Sequence, residues 1–165
     1  MAVRNLNDLF LHGLKDIYYA ERQILRALPK MAKKADSDQL RSAFEEHRGQ
    51  TEEQIHRLQQ VFEAIGKPAR GVKCQAIEGI IEENEEIMGE VEDEDTLDAA
   101  MIASAQSVEH YEISRYGTLI AWAGELGMDR KVVDLLSQTL EEEKQTDQRL
   151  TRLAEERANR KAKAA

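Results

Sequence analysis

The sequence is poor in residues that form covalent links or interrupt helices. Cys74 is its only cysteine, which excludes an internal disulfide and a thiol-rich metal site. Prolines number only two and glycines nine, while Ala, Leu, Glu, Lys, Arg and Gln are abundant, a balance that favours helix. No apolar run approaches the roughly 20 residues that span a bilayer. The opening MAVRNLNDLFLHG lacks the apolar core of a signal peptide. We therefore expect a cytoplasmic protein with no membrane partner.

Positive charge is also scarce. The formal net charge is −9, and the only basic cluster is the terminal RANRKAKAA, short enough to be a frayed tail. Phosphate contacts need clustered Lys and Arg, so we expect no nucleic-acid partner. Gly-rich phosphate loops, HExxH zinc motifs and CxxC pairs do not occur in the sequence.

What the chain has instead is helical periodicity. Four long segments carry mainly apolar residues at alternating steps of three and four, the repeat of one helix face. The first stripe runs from Phe10 to Met31, the second from Leu40 to Ile65 and the third from Ile102 to Ala123. The fourth consists of Val133, Leu136, Leu140, Glu143, Asp147, Leu150 and Ala154. Asn5 or Asn7 can cap the first segment and Asp36 or Ser37 the second, while Gly127 supplies a left-handed cap at the end of the third stripe. A shorter helical segment lies in the long connection between the two pairs, which is the layout of ferritin-like bundles. The pattern predicts an all-α, ferritin-like four-helix bundle of two antiparallel hairpins, with a short fifth helix in the crossover. The whole chain, 1–165, is one domain in this prediction, with helices at about 5–34, 37–65, 72–90, 96–126 and 129–157 and a basic C-terminal tail.

Polar residues interrupt each stripe near its middle. If the hairpins turn near residues 36 and 127, then Glu21, Thr51, Glu112 and Glu143 each lie 15 or 16 residues from their own turn. At about 1.5 Å per residue, that is about 22 Å in every case, so antiparallel packing brings the interruptions into one layer. The full set of interruptions comprises Glu21, His47, Thr51, Gln54, Glu109, Glu112, Glu143 and Asp147.

Carboxylates crowded into an apolar interior need protons, basic partners or cations. Oxygen and imidazole ligands suit iron or manganese, and bundles of this kind hold two ions. We therefore predict a site for two iron or manganese ions formed by Glu21, His47, Glu109, Glu112 and Glu143.

Several assignments within this layer stay open. The inward acid of the last helix is Glu142 or Glu143, and Gln54 or Asp147 either joins the site or supports it. His47 is a ligand or a hydrogen-bonded core histidine. Tyr116 donates to a carboxylate or simply fills the core. Glu109 and Glu112 also have the simpler interpretation of a solvated helix edge.

Five stretches together resemble the YciE/YciF family of ferritin-like bacterial stress proteins over nearly the whole chain. They are LKDIYYAERQI (14–24), HRGQTEEQIHRL (47–58), KCQAIEGIIEE (73–83), VEHYEISRYGTL (108–119) and TLEEEKQTD (139–147). The resemblance implies a five-helix ferritin-like bundle, a homodimer and a role in stress responses.

Di-iron members of the ferritin-like superfamily usually carry Glu-x-x-His on the partner helix of each pair. Here the matching positions read Gln54-x-x-Arg57, and Glu142-x-x-Gln145 or Glu143-x-x-Thr146. Only the pair Glu109 and Glu112 is intact, in the style of two carboxylates, while Glu21 matches the ligand of the first helix.

Two functions are consistent with these observations. The first is a ferritin-like di-metal protein that handles iron, manganese or peroxide, with O₂ or peroxide as its small oxidant. The alternative is a non-catalytic structural or interaction dimer whose buried carboxylates form a hydrogen-bonded network that specifies helix register.

Overall fold

The computed structural model describes residues 2–165, and all regular secondary structure in that range is helical. A π-helical turn at Ala154–Ala158 connects the fifth helix to a short sixth. The prediction of an all-α chain with a short additional helix between the two pairs of long helices is confirmed. The helices are α1 (Leu6–Lys34), α2 (Asp38–Ala64), α3 (Gln75–Glu90), α4 (Glu94–Glu125), α5 (Arg130–Leu153) and α6 (Asn159–Ala164).

Polar caps and glycines set the helix ends. The side chains of Asn5 and Ser37, one of each predicted pair, accept backbone N–H groups in the first turns of α1 and α2. Beyond α2 and α4, Gly66 and Gly127 adopt left-handed backbone conformations, with φ of +65° and +61°. That conformation closes a helix at no steric cost only when Cβ is missing.

The four long helices form a closed ring of contacts. α1 packs on α2, α2 on α5, α5 on α4, and α4 on α1. Short connections at 35–37 and 126–129 make α1–α2 and α4–α5 antiparallel pairs. The longer connection from α2 to α4 contains α3, which packs across α4 and α1. The interior of this ring is where side chains from all four helices meet.

The predicted stripes are the buried faces of α1, α2 and α4, with only Ile65 at the end of the second stripe half-buried. The stripe predicted for the last long helix is partly wrong, because Val133, Leu140, Asp147 and Ala154 are only half-buried. Adjacent residues differ by about 100° around a helix, so a broad buried face can include either neighbour at its edge. The buried residues of α5 are Val132, Leu136, Thr139, Glu143 and Leu150.

The C-terminal segment is more regular than predicted. Helical structure continues past the expected end at residue 157 as far as Ala164, so the basic tail is not frayed. Lys161 places its ammonium nitrogen 2.7 Å from a carboxylate oxygen of Asp95, in the first turn of α4. Within residues 2–165, no helix combines the length and the apolar character needed to cross a membrane.

Candidate metal centre

All five predicted ligands are buried in the interior of the helix ring. Glu21 comes from α1, His47 from α2, Glu109 and Glu112 from α4, and Glu143 from α5, and none is more than 4% exposed. The reason is local, because each lies on the stripe that its helix turns inward. One potential ligand atom from each of His47, Glu109, Glu112 and Glu143 lies within 4.8 Å of all the others. We call these four residues the ligand group, and it could hold a metal ion.

Glu21 stands beside the ligand group rather than within it. The phenol of Tyr116, completely buried on α4, donates a hydrogen bond to Oε1 of Glu21. Burial, and then the charge of Glu143, raise the pKa of Glu21 well above its usual range. The hydrogen bond from Tyr116 opposes that rise by favouring the ionised form. Tyr116 is therefore a donor to a carboxylate, one of the two roles that the sequence left open.

The two acids of α4 are also held toward their protonated forms. Burial is the main cause for both, and it raises the pKa of Glu109 and of Glu112 well above the ordinary value. The next cause is the charge of Glu143 for Glu109, and that of Glu21 for Glu112. Acids so close together cannot all ionise without a compensating positive charge. The cluster must therefore keep protons or acquire cations.

Most polar atoms of this cluster have no hydrogen-bond partner within residues 2–165. Buried polar atoms in folded proteins are almost always paired, so a group of unpaired acceptors at one place needs an explanation. His47 illustrates the point, since Nε2 lies 3.3 Å from Oε1 of Glu109, yet neither ring nitrogen makes a hydrogen bond. The unpaired atoms at this centre are Oε2 of Glu21, Nδ1 and Nε2 of His47, Oε1 of Gln54, Oε2 of Glu109 and both oxygens of Glu112 and Glu143.

The structure distinguishes Glu142 from Glu143. Glu143 is completely buried, whereas Glu142 forms a two-point ion pair with Arg57 of α2, with N–O distances of 2.6 and 2.7 Å. Gln54 donates from Nε2 to the same carboxylate at 3.1 Å, which orients its amide. Arg57 also donates to the buried hydroxyl of Thr139 at 3.2 Å. This pairing was missed because nothing in the sequence relates two residues 85 positions apart.

Two other polar interruptions lie outside the ligand group. Thr51 donates its hydroxyl to the backbone carbonyl of His47 at 2.9 Å and so stays within its own helix. Asp147 is half-buried, accepts a hydrogen bond from Gln106 at 3.0 Å, and lies 3.3 Å from Nε2 of His110.

The four long helices bring together one histidine and several carboxyl groups whose oxygens lack hydrogen-bond partners within residues 2–165. The molecule is therefore an all-helical protein with a buried group of residues that could hold a metal ion. The chain belongs to the family described as "Domain of unknown function (DUF892)", whose model matches residues 5–163. It is 46% identical to Protein YciF of Escherichia coli (strain K12) over 163 residues, which cover 98% of both chains. The resemblance to the YciE/YciF family is thus confirmed.

Solved structures show the same fold. YcfI from Rhodopseudomonas palustris, named as a candidate structural protein, is 51% identical with a TM-score of 0.89, covering 90% of this chain and 94% of that one. The crystal structure of the E. coli stress protein YciF gives 46% identity and a TM-score of 0.88, with coverage of 92% and 96%. A protein from Xanthomonas campestris pv. campestris is 20% identical with a TM-score of 0.70 and covers 92% of each chain, a likeness of fold alone.

Proposed function

We propose that this chain is a ferritin-like protein of the stress response that binds iron or manganese through its ligand group. The observation that carries the proposal is the convergence of four buried ligand atoms, from His47, Glu109, Glu112 and Glu143, within 4.8 Å of one another. The name of its relative YciF as a stress protein supports the biological context.

The spacing and chemistry of the group fit a metal ion. Ligands on opposite sides of one ion with bonds of about 2.1 Å lie about 4.2 Å apart. The observed upper limit of 4.8 Å needs only a small inward movement of side chains. Carboxylates with one imidazole suit iron and manganese, while a structural zinc site would use more His or Cys. The ion would also supply the charge that the clustered acids lack.

A second ion would depend on Glu21. Its carboxyl is close enough to Glu112 that, after burial, the charge of Glu21 is the next cause of the raised pKa of Glu112. Glu21 and Glu112 would therefore be the residues that hold the second ion. Tyr116 holds one oxygen of Glu21 in place. Bound iron or manganese would supply redox chemistry toward O₂ or peroxide.

The alternative, a structural dimer with a buried polar network, rests on the label of YcfI and on the hydrogen bond between Tyr116 and Glu21. A network that specifies helix register should satisfy its members. Here Glu112 and Glu143 have no partner for either oxygen within the described part of the chain. This favours the metal site over the network.

Metal content decides between the two functions. The untagged protein, prepared without chelators, is assayed by elemental analysis and titrated anaerobically with Fe(II) and Mn(II). We expect near-stoichiometric binding that Glu112→Gln weakens by at least about 100-fold, since even loss of a group that only orients a ligand costs 10- to 100-fold. Glu45→Gln, an exposed acid of α2, is the matched control and should bind like wild type. A protein that is isolated without metal and binds neither Fe(II) nor Mn(II) would support the structural alternative instead.

The homodimer and the cytoplasmic location stay part of the proposal. Val3, at 46%, is the one large hydrophobic residue within positions 2–165 that is exposed, so the apolar contacts of a dimer would come mainly from half-buried side chains. Sedimentation equilibrium at several concentrations tests the dimer, and a monomer at all of them would exclude it.

A further inference from the structure

A cavity of about 210 Å³ lies beside the ligand group. Helices α1 to α5 all contribute to its wall, and His47 and Glu109 belong both to the cavity lining and to the ligand group. Exposed residues of its lining, Glu46, Gln145 and Arg152, are on α2 and α5, so the cavity opens between these helices. The buried apolar part of the lining consists of Ile24, Leu28, Met31, Ala43, Phe44, Ala105 and Leu150.

The size and apolar wall of the cavity limit what it can bind. Close-packed interiors contain few voids larger than a water molecule, so an opening that reaches buried residues of the core can admit a small molecule. An apolar cavity of about 150 Å³ in another protein binds benzene. A cavity of 210 Å³ has room for a ring with two or three further heavy atoms.

The polar groups of the buried lining point to a neutral ligand with a hydrogen-bond donor. Asn84 of α3 lines the cavity, is only 6% exposed, and has no partner for Oδ1 among residues 2–165. At the inner end, Oε2 of Glu109 is another buried oxygen without a hydrogen-bond partner within residues 2–165. The arginines of the lining, Arg149 and Arg152, are not buried, and Arg149 pairs with Glu46, so no Lys or Arg among the buried residues of the lining could pair with an anion. The apolar wall equally disfavours a fully charged cation, since burying a charge without a close partner is costly.

We propose that this cavity binds a small, uncharged and mostly apolar molecule with one hydroxyl group, of the class of simple phenols and short-chain alcohols. The hydroxyl donates to a buried acceptor of the lining, and the hydrocarbon part contacts Phe44, Leu28 and Leu150. This site goes beyond the metal site and does not depend on it, because the cavity is formed by the protein chain alone.

The test uses the full chain after removal of metal with a chelator, so that coordination by a metal cannot explain binding. Titration calorimetry and ligand-observed NMR compare 4-ethylphenol with ethylbenzene, which lacks the hydroxyl, and with the anion 4-methylbenzoate. We expect saturable binding of 4-ethylphenol at one site, weaker binding of ethylbenzene and none of the anion. No saturable binding of either neutral probe, or equal binding of the anion, overturns the proposal.

Variants that fill the cavity show whether binding occurs there. Ala105→Leu adds volume from α4, and Ala27→Leu adds it from the half-buried α1 wall, where a larger side chain is easier to accommodate. Each should weaken binding of 4-ethylphenol at least about tenfold by excluding it. Ala103→Leu, on the exposed side of α4, is the matched control and should leave binding unchanged. If Ala105→Leu does not fold, Ala27→Leu decides, and wild-type affinity in that variant refutes the proposal.

A further variant tests the polar contact. Asn84→Leu should remove most of the preference for 4-ethylphenol over ethylbenzene, a change of about tenfold for one lost hydrogen bond. An unchanged preference would show that Asn84 does not receive the hydroxyl and would leave Glu109 as its acceptor. Loss of binding for both probes in this variant alone would count against the proposed orientation.

Discussion

Replacement of Glu112 by glutamine should stabilise the metal-free protein, contrary to the usual effect of changing a completely buried residue. Glu112 is 0% exposed, and neither of its oxygens has a hydrogen-bond partner within residues 2–165. Burial, followed by the charges of Glu21 and Glu143, raises its pKa well above the ordinary value. The folded protein therefore keeps a proton that the unfolded chain releases near pH 4.3.

The magnitude follows from proton linkage. For an acid whose folded pKa is raised, folding is most favourable below the unfolded pKa, and stability is lost as the pH rises toward the folded pKa. Each pH unit in that interval costs about 1.4 kcal/mol, so a carboxyl kept neutral at pH 7 costs up to about 4 kcal/mol. Glutamine has nearly the same shape, carries no proton to lose, and can donate to the neighbouring acids. Allowing for imperfect hydrogen bonds, we expect Glu112→Gln to stabilise the apo protein by about 1–3 kcal/mol at pH 7 and by almost nothing near pH 4.

The assay is urea unfolding of chelated protein at pH 4.5, 6 and 7.5, with Glu45→Gln as the exposed control. The control should unfold within about 0.5 kcal/mol of wild type at each pH. Addition of Mn(II) should then remove most of this difference or reverse it, because a ligand at 100 times its Kd stabilises wild type by about 2.7 kcal/mol, while the variant, which binds at least about 100-fold more weakly, gains little. A Glu112→Gln protein that is less stable than wild type at pH 7, with the same pH dependence, would show that Glu112 is ionised and paired. It would refute the electrostatic account.

Three further predictions test other parts of the structure. Asp98, a buried acid of α4, accepts hydrogen bonds from the backbone N–H groups of Asp36 and Ser37 at 2.9 Å each. Asp98→Ala should therefore lower the free energy of unfolding in urea by about 3 kcal/mol or more, and a loss below about 1 kcal/mol would contradict this role. Tyr116→Phe removes the hydrogen-bond donor to Glu21 and should raise the pKa of that acid, so that Mn(II) binding requires a higher pH. Mn(II) titrations at several pH values test this, and an unchanged pH midpoint of binding would exclude the effect. The increase in melting temperature that metal causes in the wild-type protein should grow from pH 5 to pH 7.5, because acids with raised pKa values must lose protons to bind metal. An increase that is the same at every pH would argue that the metal binds elsewhere.

The sequence was most informative about properties that belong to a single helix. From the stripe period alone, the sequence predicted that Glu21, Glu109 and Glu112 are buried, as they are, but it left open whether Glu142 or Glu143 is the buried acid of α5. It also predicted the left-handed residue at Gly127, since only local backbone sterics matter there. Counting residues from the two turns predicted that Glu21, Thr51, Glu112 and Glu143 lie at one depth in the bundle, because a helix has a nearly constant rise per residue. The bound ions remain a prediction.

Only the tertiary structure decided how the helices face one another. The stripe of α5 was misjudged at Val133 and Leu140, where a small rotation exchanges neighbouring residues. The Arg57–Glu142 ion pair and the donation of Tyr116 to Glu21 join residues on different helices, and the cavity beside His47 needs five helices to enclose it. Such contacts depend on the rotation and axial shift of each helix against its neighbours. Residue order determines the face that a helix buries, but packing of all the helices together determines which atoms meet across it.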